Sequence, residues 1–298
     1  MISGRPPSGR SARQAAAGYA FLGLPLVGYV LFTVVPVLGA FYIGLLRWDL
    51  LTEPRFVGLA NVSQMLGDAK FWNALKNTTV FCLGSVPLAI GGGLLLALLL
   101  NQRVPGIRFF RGVYYVPYVT SWVAVALVWS WLFDRDYGLI NLGLHFFGVS
   151  GPAWLNDPRW ALPAVMIVFA WKWMGFYALI LLAGLQNIPA MLYEAASIDG
   201  ANGWARFRHV TLPLLSPATF FVVVTALINA LNVFDPVVVM TQGGPNDSTQ
   251  TLVKYIVDNA FQFFQIGYAS TVAATTFVLV LALTLAQNWL QRVWVTYD

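Results

Sequence analysis

The feature that most limits what this chain can become is the recurrence of long runs with almost no charge. Residues 18–46 contain no Asp, Glu, Lys or Arg, and comparable runs recur at about 73–100, 112–133, 161–185, 214–234 and 268–289. Each is long enough to cross a hydrocarbon layer as a helix, which takes about 20 residues. Only 10% of the 298 residues are charged and 58% are hydrophobic, too few charges to cover a water-soluble globule of this size. The expectation is an all-α membrane protein with six transmembrane helices.

The run at 18–46 is about twice as long as the apolar core of a signal peptide, and no small-residue cleavage site follows it. It is read as a retained first span. Pro25 and Pro36 within it each remove a backbone donor, so this helix should be kinked. The second run contains Pro87 and Gly91-Gly92-Gly93, which would let a neighbouring helix approach closely. Cys82 lies inside that run, without a partner for a disulfide or a metal site.

Basic residues accumulate on the cytoplasmic side of membrane proteins. Six spans with both ends inside place nine Lys and Arg within the cell and seven outside, with Lys172 in a span. The short connection carrying Arg103, Arg108 and Arg111, with no acid, orients the chain. The expected organisation is a flexible cytoplasmic tail at 1–17, a transmembrane domain at 18–291 and a cytoplasmic tail at 292–298. This places the chain as a multi-pass protein of the cell membrane, with both termini cytoplasmic and lipid around it.

Several chemistries are excluded by what the motifs lack. None of the four lysines follows a glycine, so no phosphate-binding GxxxxGK[ST] loop is present and the chain is not an ATPase of that class. His145 and His209 are isolated, no GxSxG occurs, and no carboxylate pair lies within a span. The net charge of +5 comes from residues at the ends of apolar runs, not from a basic stripe, so no nucleic-acid partner is expected. A proton-coupled secondary transporter would need ionisable relays inside the spans, where only Lys172 lies deep.

Between the fourth and fifth runs, residues 193–217 form a polar island. Pro189 is placed to open a short helix, Gly200 to stop it, and a second short segment follows at 204–210. Small side chains with a fixed stop suit a rigid knob for a groove on another protein. Pro213 and Pro217 would stiffen its junction with the fifth span. An ordinary surface loop is the alternative reading.

Glu194-Ala195-Ala196, Asp199-Gly200-Ala201, Phe207, Leu212-Pro213 and Pro217 resemble the EAA motif of permease subunits in binding-protein-dependent ABC importers. Pro117, Trp129, Phe133, Gly138, Asn141, Leu185, Ile188-Pro189 and the segment Thr241-Gln242-Gly243-Gly244-Pro245 with Thr249 are similar to the carbohydrate-uptake type, in particular the first maltose or glycerol-3-phosphate permease subunit. The resemblance implies the six-helix type I importer permease fold, with a cytoplasmic coupling loop at 186–213. It implies a second homologous permease, two cytoplasmic ABC ATPase subunits and an extracytoplasmic solute-binding protein as partners. The chain would be a transport subunit, not an enzyme, and would hold no cofactor, ATP and magnesium being bound by the partner ATPases. Gly243, Gly244 and Pro245 would face the binding protein, or simply make a loop connection.

For the solute path, Lys172 would cost about 2.5–3.5 kcal/mol if it faced lipid, so it should face the bundle, a cavity or an anionic partner. Thr225, Asn229, Asn232 and Asp235 recur at spacings of four, three and three, one face of a continuous helix. With Trp171, Trp173 and Tyr177 for stacking, they suit a small-molecule solute such as a sugar. Interhelical hydrogen bonding, worth about 0.6 kcal/mol per contact, is the alternative. A glycerol-3-phosphate or glycerophosphodiester solute would use Lys172 as counter-charge.

Overall fold

The structure is a computed structural model and describes residues 9–102 and 104–294. Residues 1–8 and 295–298 of the expected tails, and Arg103, lie outside the described residues. In chain order the helices are α1 (Gly9–Tyr29), α2 (Val35–Ile43), α3 (Ala60–Gly67), α4 (Ala69–Leu100), α5 (Ile107–Val119), α6 (Trp122–Leu132), α7 (Leu139–Phe146) and α8 (Ala161–Asn187). There follow α9 (Ala190–Ile198), α10 (Gly203–Arg206), α11 (Leu212–Leu214), α12 (Ser216–Leu231), α13 (Asp235–Met240), α14 (Leu252–Val257) and α15 (Ile266–Trp294). Thus α1 begins inside the segment expected to be tail, and α15 continues past residue 291.

Among the described residues four helices are long and apolar enough to cross a membrane: Ala17–Ile43, Ala69–Leu100, Ala161–Asn187 and Ile266–Arg292. Two more apolar stretches are bent pairs, α5 with α6 at 97° and Gly203–Leu214 with α12 at 66°; counting each as one span gives six. The third apolar run is therefore two helices at nearly a right angle.

The chain divides into two compact units. The first holds the described residues up to Met65 together with Asn259–Thr275. In it, α1 and α2 are joined by a π-helical turn at Val30–Val34, just ahead of Pro36. Proline has no N–H to give back to that turn, and a widened turn is one way a helix absorbs the missing bond. No described residue of the apolar stretch Ala17–Ile43 is buried. Beyond it, strands β1 (Leu46–Arg47) and β2 (Arg55–Phe56) pair antiparallel, Leu46 opposite Phe56. Buried Asn61 clamps this corner by donating to the Gly44 and Leu46 carbonyl oxygens at 2.8 and 2.9 Å.

The second unit, Leu66–Asp258 with the chain from Thr276 on, contains the main core. Its centre is the α4–α8 pair. Asp68 caps α4 by accepting from the Lys70 N–H at 2.8 Å. Small residues Ala74, Ser85, Ala89, Gly93 and Ala97 are buried along α4. A Cβ at Gly93 would stand 3.2 Å from the Met174 carbonyl oxygen and 3.1 Å from the Tyr177 Cβ, so here the backbones meet as the Gly-rich run leads one to expect. Gly91 has nothing within 4 Å and takes no part in that contact. The buried side chains of α8, from Val165 and Phe169 to Tyr177 and Leu181, fill the space against α4 and α12. Arg111 donates to the Leu100 carbonyl at 2.9 Å, closing the C-terminal end of α4.

Candidate functional site

The polar island folds as a compact knob. Pro189, extended at ψ 131°, delivers the chain into α9, and Gly200 adopts φ +78°, the left-handed conformation that ends such helices. The Ala201 N–H then reaches back to the Ala196 carbonyl at 2.9 Å. Asn202 caps α10 by accepting from Ala205 N at 2.8 Å. Glu194, Ala195, Asp199 and Gly200 are exposed, while Ala196, Ala201, Phe207 and Pro213 are half-buried. The apolar side chains standing furthest out are Ile198 at 86% exposed and Met191 and Trp204 at 68% and 67%. Exposed apolar side chains of this kind are found where a protein meets another protein or a membrane.

Four residues that sequence reasoning did not single out hold α9 against the segment that follows it. Tyr193 Oη and Thr211 Oγ1 are 3.0 Å apart, Arg206 donates to Ser197 Oγ at 3.1 Å, and Ser197 donates to the Tyr193 carbonyl at 2.6 Å. From α10 the chain runs without a break through a π-helical turn, Phe207–Thr211, into α11 and then bends into α12. Leu212 is exposed and Pro213 opens α11, and the bend falls between Pro213 and Pro217. No motif marks the Tyr193–Thr211 pair, whose members are eighteen positions apart.

The expected polar path is not a single stripe. Helix α12 ends at Leu231 with Asn232 as its cap, and Asp235 belongs to α13, which starts afresh with Pro236 in its first turn. Thr225 and Asn232 are satisfied within their own helix, bonding the Phe221 and Ile228 carbonyls at 2.8 Å each. Asn229 is the member that reaches another helix, its amide lying 3.5 Å from Tyr177 Oη. The one-face expectation fails at Asn232–Phe234, where the helix breaks ahead of a proline.

Lys172 is 3% exposed, and its ammonium group donates to the carbonyls of Pro117, Tyr118 and Thr120 at 2.7, 3.2 and 2.5 Å. Its nitrogen also lies 4.9 Å from the Trp122 ring centre. These carbonyls are freed where α5 ends and α6 turns away, so one lysine supplies three of the bonds a helix end lacks. Trp173 stacks on Tyr177 with ring centres 5.7 Å apart, and Tyr118 on Phe176 at 4.4 Å. Trp171 instead meets Trp129 edge-on at 5.3 Å beside an apolar cavity of about 390 Å³. The aromatics grouped by sequence thus face two different surroundings.

The segment 241–251 is tightly folded. Gly243 takes φ +91°, and Gln242, Asn246 and Asp247 are also left-handed. Gly243 is buried, Gly244 and Pro245 half-buried, and their peptide bond is cis. Thr249 Oγ1 donates to the Gly244 carbonyl at 2.8 Å and lies 2.8 Å from Thr241 Oγ1. Helix α4 pins the loop through Asn73 and Asn77, which donate to the Asp247 carbonyl at 2.9 and 2.8 Å, and Thr78, which accepts from Leu252 N at 2.9 Å. Beyond it Lys254, counted from sequence among the outside charges, is buried in an ion pair with Asp258 at 2.5 Å. Gln250 bonds the same carboxylate, and Tyr255 donates to Asp68.

Among the described residues no three His, Cys, Asp or Glu side chains group as metal ligands. Residues 89–294 match the family described as "Binding-protein-dependent transport system inner membrane component". The chain belongs to that family.

This permease is 40% identical over 275 residues to the trehalose/maltose transport system permease protein MalF of Thermococcus litoralis, covering 92% of each chain. It is 38% identical over 287 residues to the probable ABC transporter permease protein YesP of Bacillus subtilis, covering 95% of this chain and 92% of the other. Among solved structures, the fold matches that of a bacterial alginate ABC transporter in complex with alginate pentasaccharide-bound periplasmic protein. That match has a TM-score of 0.82 at 23% identity, over 95% of this chain and 96% of the other. The permease is therefore an inner-membrane transport component of the type I importer fold, and its work is transport, not catalysis.

Proposed function

We propose that this permease is one of two homologous membrane subunits of an ABC importer for a sugar or sugar-like solute. Residues 18–291 form the membrane domain, its six spans run with both termini cytoplasmic, and α9 is the coupling helix. The observation that carries the reading is the knob itself. An exposed apolar tip on α9 is locked through Tyr193–Thr211 and Arg206–Ser197 to the segment that bends into α12, so displacement of the knob tilts a membrane helix. Two cytoplasmic ATPase subunits, holding ATP and magnesium, would grip Glu194 to Ala201 and draw closed on nucleotide. The spans then switch from inward-facing to outward-facing, and a binding protein delivers solute against the loop at Gly243, Gly244 and Pro245.

The carbohydrate class is supported by a relative named for trehalose and maltose and by a fold neighbour bound up with alginate. Within the chain it is supported by the half-buried Trp173, whose ring stacks on the buried Tyr177, and by Asn229, whose amide lies 3.5 Å from Tyr177 Oη. Glycerol-3-phosphate or a glycerophosphodiester is the less favoured solute, because Lys172, its natural counter-charge, is committed to three carbonyls. The test is uptake of radiolabelled sugars into proteoliposomes holding both permeases and the ATPases, with binding protein and ATP supplied. Accumulation that disappears when the ATPases are omitted supports the reading. Accumulation driven by a proton gradient without ATP contradicts it.

A further inference from the structure

A pocket of about 410 Å³ lies in the first unit, beside the corner that Asn61 clamps. Its walls include Arg47, Trp48, Asp49, Gln64, Gln265 and Tyr268, from the end of β1, α3 and the start of α15. The size falls in the range of small-molecule sites, about 300–1,000 Å³. The frame is rigid: Asn61 holds the Gly44 and Leu46 carbonyls, and the Gly267 backbone lies so close to the Leu46 carbonyl that a side chain there would collide with it.

Within this frame Asp49, Gln64 and Gln265 keep bonding capacity. Asp49 Oδ1 accepts from Leu51 N, Thr52 N and Thr52 Oγ1 at 3.0, 2.8 and 2.8 Å, leaving Oδ2 for another donor. Those bonds, first among them the one from the Thr52 backbone, hold the carboxyl below the usual carboxylate range, so it stays an acceptor at neutral pH. Among the described residues the one ion pair is Lys254–Asp258, so Arg47 and Asp49 do not neutralise each other. The side-chain amides of Gln64 and Gln265 take no partner among the described residues. Arg47, Asp49, Gln64 and Gln265 thus line one pocket together with Trp48, Phe264 and Tyr268.

We infer that this pocket binds a sugar ring, as a carbohydrate subsite separate from the path through the spans. Aromatic faces take the C–H side of a pyranose and the amide, guanidinium and carboxylate groups take its vicinal hydroxyls. A phosphate is disfavoured because the Asp49 carboxylate lines the same pocket and repels an anion, and an acyl chain is disfavoured by the polar walls. The inference rests on the carbohydrate reading above. In the proposed topology both wall segments lie on the extracytoplasmic side, where solute arrives.

The complete importer in nanodiscs, without binding protein, is titrated with maltose, trehalose and lactose and followed by saturation-transfer difference NMR. The same sugars are tested for uptake in proteoliposomes with binding protein. Wild type gives a saturable signal, and Trp48→Ala or the volume-preserving Gln265→Glu raises the half-saturating concentration by roughly tenfold, equivalent to about 1.4 kcal/mol. Uptake at low sugar falls in parallel. Unchanged half-saturation in both variants while wild type imports sugar overturns the pocket assignment alone. So does weakened attachment of the binding protein with sugar binding intact, which would make the pocket a seat for a protein side chain. A wild-type importer that takes up none of the three sugars removes the carbohydrate reading, and the pocket assignment with it.

Discussion

The Lys172 ammonium nitrogen lies 2.7 Å from the Pro117 carbonyl oxygen, at the place where one apolar run becomes two helices. A right-angle bend inside a membrane leaves carbonyls that water cannot serve, and each unserved group is costly there. Lysine, with three donors and a long stem, fills that need from a neighbouring helix. Replacing it with Met should cost about 1–3 kcal/mol for the acceptors left bare. The expected readout is a lower thermal midpoint of the purified importer, with the solute concentration for half-maximal uptake unchanged in the surviving fraction. A normal midpoint with weakened solute affinity would place Lys172 in the solute path instead.

Gly93→Val should be destabilising where Gly91→Val is not. The first would press a branched side chain on the α8 backbone, and overpacking of this kind costs about 1–3 kcal/mol. Gly91 has open space, and its replacement should insert and assemble normally. Detergent-stability curves of the two variants give the comparison.

Asn77→Ala removes two bonds that hold the loop, to the Asp247 and Gln250 carbonyls. The loop should then be cut faster by added protease and show faster amide exchange at Thr249, with α4 itself unaffected. Equal cutting of variant and wild type would mean that Asn73 and Thr78 hold it unaided.

Asp134 turns the chain after α6 by accepting from Tyr137 N and Asp136 N at 2.9 Å each. These bonds hold its carboxyl below its ordinary 3.8. A carboxylate so lowered contributes order that is fully present above that ordinary value and is lost as pH falls through the lowered one. Amide exchange at Tyr137 should therefore keep its protection from neutral pH down to about pH 4 and lose it below. Asp134→Asn should flatten this dependence.

Much of this was legible in the residues. Apolar runs set the spans, the Pro189 to Gly200 punctuation set α9, and the EAA pattern carried the family. What stayed hidden depends on partners distant in sequence. The bend after Val119 is stabilised by Lys172, more than fifty positions on, and nothing local to 112–133 announces it beyond Pro117. The even spacing of Thr225, Asn229, Asn232 and Asp235 assumed one unbroken helix, and Pro236 shows in retrospect why it breaks. Tyr193 and Thr211 stood within the island from the start, but only the fold shows that they touch.

The central claim is that the knob at Glu194 to Ala201 drives the membrane helices, so the most direct measurement compares ATP hydrolysis with sugar uptake in the reconstituted importer carrying Glu194→Lys or Gly200→Val. Valine at Gly200 would have to adopt φ +78°, which a branched side chain resists, and lysine at 194 reverses the charge on the exposed knob. The predicted result is a normally inserted permease whose ATPases hydrolyse ATP with little or no accompanying uptake. Uptake per ATP equal to wild type in both variants would contradict the account.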